Sequence, residues 1–227
     1  MAASALSAIF QELLGPRMDE ASRGWWAGAV ASATEGGGDL AERFTAASRR
    51  VGKRPLELSA PERARLAREG LDWPVAHWTA DDLARVTLLI VTAAARPAPA
   101  DLVETCYREG DNRERQAVLY ALPLLPAPEL FVDLAVEACR THVQPVFEAI
   151  TCENPYPARH FPELSFNQMA LKAVFTGVAL ERIVGLRLRV TEELARMAAD
   201  YASERRAAGR PVPADLDLLM NVKGSER

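Results

Sequence analysis

The sequence predicts an all-α protein, an irregular α-solenoid of HEAT-like antiparallel helix pairs in a single domain. Three observations predict it. Alanine, leucine, arginine and glutamate dominate the chain, and these residues lose little side-chain entropy in a helix. Apolar residues recur at helical spacing, whereas alternating β-branched runs are nearly absent. The prolines fall mostly between periodic segments, where they cannot interrupt helical hydrogen bonding. With 227 residues, 49% of them apolar and 26% charged, the chain is the size of one domain with a substantial core.

Residues 1–96 form an N-terminal helical part. A first helix covers Ala2 to Leu14 and stops at Gly15-Pro16. A second runs from Met18 to Thr34 and ends at Gly36-Gly37-Gly38. Asp39 caps a third through Val51. Ser59-Ala60-Pro61-Glu62 has the form of a capping box with proline in the first turn, and opens a short basic helix to Glu69. Arg63 to Arg68 reads as its solvated face. Thr79-Ala80-Asp81-Asp82 repeats the logic for a helix through Ala95, with Asp81 and Asp82 favouring the helix dipole. Trp25, Trp26, Trp73 and Trp78 read as core anchors.

Residues 97–221 form the C-terminal part. Ala98 to Glu109 is one helix, and Asp111 caps the next, Asn112 to Leu122. Ala127 to Thr141 and Gln144 to Cys152 follow. The last helices lie near Glu163 to Phe175 and Thr191 to Ala208, with Gly209 as the cap and Pro211 as the stop. Short connections imply antiparallel neighbours, although no strict internal period emerges. The tail from Lys223 is expected to fray.

Several function classes are excluded. A net charge of −4 argues against a nucleic-acid backbone as the main partner. No run approaches the roughly 20 apolar residues of a membrane span, and no signal peptide is evident. Cys106, Cys139 and Cys152 are far apart and read as reduced thiols of a cytoplasmic protein. There is no GxGxxG, no Walker A loop, no HExxH, no DDxxD-type acidic pair and no nucleophile elbow. His77, His142 and His160 do not have the spacing of a metal site. No cofactor and no metal are implied.

Residues 151–177, TCENPYPARHFPELSFNQMALKAVFTG, are the unusual stretch. Pro155 and Pro157 push their predecessors toward extended backbone, so a rigid non-helical link is expected there, carrying Glu153, Asn154, Tyr156, Arg159 and His160. In the helix that follows, Phe166, Met169, Ala170, Ala173 and Val174 form one apolar face. Leu164, Leu171 and Phe175 form a second. A helix apolar nearly all round should be central and buried, yet Asn167, Gln168 and Lys172 lie on that second face. Buried polar groups need partners. They either join an internal network or line a cavity, and a Glu148–Lys172 pair is the obvious candidate.

The stretches GDNRERQAVLYALPLLP, VQPVFEAITCENPYPARHFPELSFNQMALKAVFTG and ERIVGLRLRVTEELARMAADYASERRAAGRPV carry a family resemblance. From about Gly110 to Pro213 the chain resembles the EboA family; the N-terminal half matches only in being helical. Ser203 stands where the family has a histidine in DYAHER, and Leu186-Arg187 stand where it often reads GLD. The resemblance implies a bacterial protein encoded among natural-product or prenylated-metabolite genes. Its neighbours there would be a prenyltransferase-like membrane protein and sugar-phosphate-cyclase-like and hydrolase-like enzymes.

These readings lead to a small-molecule pathway protein of bacterial specialised metabolism, a catalyst or a metabolite carrier, with a pocket in its C-terminal half. As a catalyst it would do cofactor-independent acid–base chemistry: isomerisation, cyclisation or elimination. Glu148 would be the base or acid and Lys172 its electrostatic partner. Tyr156 and His160 are reserve proton donors, and Arg113, Asn154, Asn167 and Gln168 would contact substrate. The alternative is a non-catalytic scaffold or metabolite-binding protein for partners from the same gene cluster.

Overall fold

Fourteen α-helices make up the described residues, 2–36, 39–96 and 98–220, of this computed structural model. They are α1 (Ala2–Leu14), α2 (Glu20–Thr34), α3 (Leu40–Val51), α4 (Ala60–Arg68), α5 (Ala80–Ala95), α6 (Ala100–Glu109) and α7 (Asn112–Ala121) in the first half. Then come α8 (Val132–Ala138), α9 (Gln144–Thr151), α10 (Tyr156–His160), α11 (Glu163–Thr176), α12 (Leu186–Arg189), α13 (Glu192–Ala207) and α14 (Asp217–Met220). Among the described residues there is no strand, only an isolated bridge between Pro55 and Thr79. The Gly37-Gly38 step and the tail from Lys223 lie outside the described residues.

The capping signals at Ser59, Thr79 and Asp111 form as the sequence predicts, whereas Asp39 precedes α3 without a side-chain bond to its first backbone amides and accepts from Ser32 and Arg43 instead. The Ser59 backbone amide donates to Glu62 at 2.7 Å, that of Thr79 to Asp82 at 2.9 Å, and that of Asp111 to Glu114 at 2.8 Å. These bonds satisfy donors that the first turn of a helix leaves open.

The helices are gathered around α5, which packs against α1, α2, α3 and α7. From Ala80 through Ile90 every residue of α5 is buried. A strict stack of antiparallel pairs is not established, because one helix touches four others well separated in sequence. The helices form one all-α body.

Burying α5 means burying its charges. Asp81 is 0% exposed and Arg85 1%. Arg85 donates to Asp81 at 3.0 Å and to the carbonyl of Phe44 at 2.9 Å. Ser48 of α3 donates to Asp81 at 2.6 Å, and Arg113 of α7 donates to it at 3.0 Å. Glu114 stands 3.7 Å from Arg85. Asp81 and Asp82 stand in the first turn of α5, as the dipole reading has them, and are buried there in an ion cluster that bolts α3 and α7 to α5. Burial alone would raise the pKa of Asp81, but hydrogen bonds from Ser48 and Thr79 with the two guanidiniums hold it below the usual range. Asp82 has weaker support and burial raises its pKa.

Three expectations are corrected. The helix 163–176 is peripheral, not central: Leu164 is 65% and Phe175 59% exposed. The link 154–160 contains α10, because a proline just before a helix and another in its first turn leave no hydrogen bond unmade there. The stretch 127–141 is broken at its start, with a 3-10 turn over 128–131 preceding the short α8.

Candidate functional site

A groove runs along residues 71–76, the connection from α4 to α5. Helix α4 ends in a Schellman closure: Gly70, at φ +92°, donates to Ala67, and Leu71 donates back to Leu66 at 3.0 Å. That closure brings Leu66 and Leu71 together, as its usual hydrophobic contact does, and both line a cavity of about 550 Å³. Leu58, Trp73 and Val75 complete its apolar wall, with Glu57, Arg63 and Asp72 at the edge. A second cavity of about 360 Å³ adjoins it, and both are lined by Asp72, Trp73 and Pro74. Pro155, Ala158 and Arg159 line it on one side, and Val184, Gly185, Leu188 and Arg189 on the other. Each volume lies in the range of small-molecule sites.

The wall formed by residues 183–188 is tied at both ends. At one end Arg182 is clamped to the end of α9. It donates to Glu148 at 2.6 Å and, fork to fork, to both oxygens of Glu153 at 2.9 Å each. The Glu153 amide donates to the Arg182 carbonyl at 2.8 Å. Glu153 has φ +47°, a left-handed conformation that a non-glycine residue adopts only where its surroundings over-determine it. At the other end Arg189 donates to the carbonyls of Ala158 at 2.6 Å and Phe161 at 2.8 Å, and its guanidinium lies 4.6 Å from the Phe166 ring centre. Between them Gly185, at φ +73°, comes so close to α10 that a Cβ on it would stand 2.8 Å from that of Ala158.

The sequence-predicted residues are dispersed. Glu148 belongs to the Arg182 clamp and also accepts from Gln144 at 2.8 Å. Burial opposes its charge, but the bonds from Arg182 and Gln144 together with the Arg182 charge outweigh this, and its pKa falls below the usual range. Lys172 does not pair with Glu148. It donates to the carbonyls of Cys139 at 2.6 Å and Thr141 at 2.5 Å, over the Phe147 ring. Tyr156 is fully buried and donates to Pro128 at 2.5 Å, and burial raises its pKa. His160 is half-buried against Tyr156, ring centres 4.7 Å apart, and burial lowers its pKa. Asn154 is a structural strut: it donates to Leu119 at 3.0 Å and Ala149 at 2.9 Å and accepts from the Tyr156 amide. Asn167 is buried with its Oδ1 unpartnered among the described residues, whereas Gln168 faces solvent. Arg113 serves the Asp81 cluster.

Tyr120 feels charges from both ionic groups, Asp82 and Arg113 of one and Glu153 and Glu148 of the other. Its ring centre is 5.2 Å from that of His77. Burial raises the Tyr120 pKa and lowers that of His77, although His77 keeps an exposed edge. Both are neutral near pH 7, able to exchange hydrogen bonds but offering neither a charged acid nor a charged base. No group of acidic, histidine or cysteine side chains suited to a metal ion occurs among the described residues, and no described helix is long and apolar enough to cross a membrane.

Sequence reasoning missed the groove. Trp73 was legible as an apolar anchor, but Arg182 and Arg189 carry no motif, and their partners lie about thirty residues upstream.

A family model described as Metabolite traffic protein EboA matches residues 7–221. The match takes in the N-terminal half, which by sequence had resembled the family only in being helical. No curated protein and no solved structure matches the chain.

Proposed function

The chain belongs to the EboA metabolite traffic family, and from that premise we propose that it binds a small metabolite in the groove around Trp73 and hands it on without chemistry. The setting would be a cytoplasmic step of bacterial specialised metabolism, among proteins of one gene cluster. The observation that carries this reading is the pair of adjoining, largely apolar cavities of about 550 and 360 Å³ with Asp72, Trp73 and Pro74 in common. An acid–base catalyst built on Glu148 and Lys172 has less support. Neither residue lines that groove, and both spend their polar atoms on structural partners.

The test starts from metabolite extracts of a deletion strain. A compound that accumulates there should raise the melting temperature of the purified protein. At a hundredfold excess over Kd the stabilisation is about 2.7 kcal/mol, or about 5–10 °C for a chain of this size. Ala76 is exposed and lines the first cavity, so Ala76→Trp should block the groove without disturbing the core. Loss of the shift in that variant supports the reading. A shift that survives the block refutes it.

A second reading is favoured by α11. Leu164 and Phe175 lie eleven residues apart, about three helical turns, on its exposed side. That side would serve as a contact for a partner protein of the same cluster. Co-purification with such a partner, lost in Phe175→Asp, is the corresponding test.

A further inference from the structure

We propose that the occupant of the groove is a free anionic amphiphile, an apolar body ending in one phosphate or carboxylate, with its body in the first cavity and its anion in the second, against Arg159. The inference rests on the groove reading above and gives it a polarity.

Charge separates the two cavities. The first carries Glu57 and Asp72 against Arg63 alone. Arg63 is also turned back to the carbonyl of Leu58. An anion placed there meets two carboxylates. The second carries Arg159 and Arg189 against Asp72 alone. Arg189 donates to backbone carbonyls, which occupy its hydrogen bonds but supply no counter-charge. Arg159 is the adaptable cation. Its guanidinium lies 5.2 Å from the centre of the Trp73 ring, at the wall common to both cavities. Its ion pair with Asp72 is long, 3.7 Å, between side chains 47% and 68% exposed. Such a pair contributes little, and a ligand anion can replace it with a charge-assisted, two-pronged hydrogen bond. The Trp73 face holds the guanidinium in position for that exchange.

Shape agrees with charge. The first cavity is the larger and is walled by Leu58, Leu66, Leu71 and Val75. At the second, Leu188 is 87% exposed, an apolar lip beside the cationic end. An occupant with an apolar body and a single anionic end meets a matching surface along its whole length; a uniformly polar metabolite does not.

Decyl phosphate, decanol and decyltrimethylammonium test this by calorimetric titration of the full chain below their aggregation concentrations. Decyl phosphate should bind about tenfold tighter than decanol, the size of one charge-assisted hydrogen bond, and decyltrimethylammonium more weakly than either. Arg159→Gln should abolish the tenfold preference of decyl phosphate over decanol. Equal binding of decanol and decyl phosphate to the unsubstituted protein overturns the polarity and leaves the groove reading standing. A preference that persists in Arg159→Gln overturns the assignment of the anion. If Ala76→Trp binds the probes as well as the unsubstituted protein does, both proposals fall. Co-sedimentation with phosphatidylglycerol vesicles, without saturable binding of monomeric decyl phosphate, makes the source a bilayer and overturns the free amphiphile.

Discussion

Lys172 holds its charge against two peptide carbonyls and the face of Phe147, the arrangement of a residue that closes the end of one helix with the side chain of another. Lys172→Met should therefore cost about 1.5–3 kcal/mol in urea denaturation, the value of hydrogen bonds to a charged group. It should leave decanol binding in the groove unchanged. The cysteines are equally committed. Burial pushes the thiol of Cys106 up to about 11 and those of Cys139 and Cys152 up to about 12. At pH 8 none of the three should react with a disulfide reagent in the folded protein, and all three should react in guanidinium; a thiol modified quickly in the folded protein contradicts this. Residue types were legible in the sequence to the extent that local spacing governs them. Asp81 and Arg85, one turn apart, are a readable pair. Ser48 and Arg113, which decide that the pair is buried, are about thirty residues away on either side, and no local pattern announces them.

Among the elements, the connection 180–189 depends on its two arginine ties. Arg182→Ala removes three side-chain hydrogen bonds to Glu148 and Glu153 and leaves Glu153 in a left-handed conformation with less to hold it. Amide exchange should accelerate in 183–188, and groove affinity should drop with it; unchanged exchange would separate the clamp from the wall. Acid should loosen the same tie. The Glu148 pKa is lowered in the folded state, so its contribution is present above the ordinary carboxylate pKa and is lost as pH falls through the lowered value. Glu62 behaves likewise. Its bonds from Ser59 and Arg17 hold it at about 2 against 4.5, so the α4 cap weakens as pH falls from 4.5 towards 2. Ser59→Ala should cost about 1 kcal/mol and flatten that part of the acid profile. Helices with a capping box were legible at their first residue, because the box is a local contract between positions three apart. Helix α10 was not, since prolines that forbid a helix interior are compatible with its first turn. Helix α12, with four residues, is too short for any period to show.

For the molecule as a whole, α5 is the organising element. Leu88 is 0% exposed, and Leu88→Ala should cost about 2–5 kcal/mol. Helical circular dichroism and tryptophan fluorescence should lose structure in one coincident transition, because α5 packs on α1, α2 and α3 before residue 97 and on α7 after it, and the Asp81 cluster joins them. A non-coincident transition would instead divide the chain near residue 97. The all-α class was legible, since it is the sum of many local preferences. The centre was not. Helix α5 carries the apolar run Val86 to Ala95, but Asp81, Asp82, Arg85, Thr87 and Thr92 interrupt the helix. Those side chains are buried together, so polarity along the helix hid its depth. Helix α11, read as central because it is apolar on two faces, lies outside. A last consequence follows from Asp72, Trp73 and Pro74, which line both cavities. A partition that serves two rooms cannot shift for one without reshaping the other. A ligand that moves this partition on filling one room changes the free energy of filling its neighbour, and by the same amount in each direction. Two short ligands, one apolar and one anionic, would report that linkage as mutually altered affinities, and a single long ligand would draw on it in one binding step.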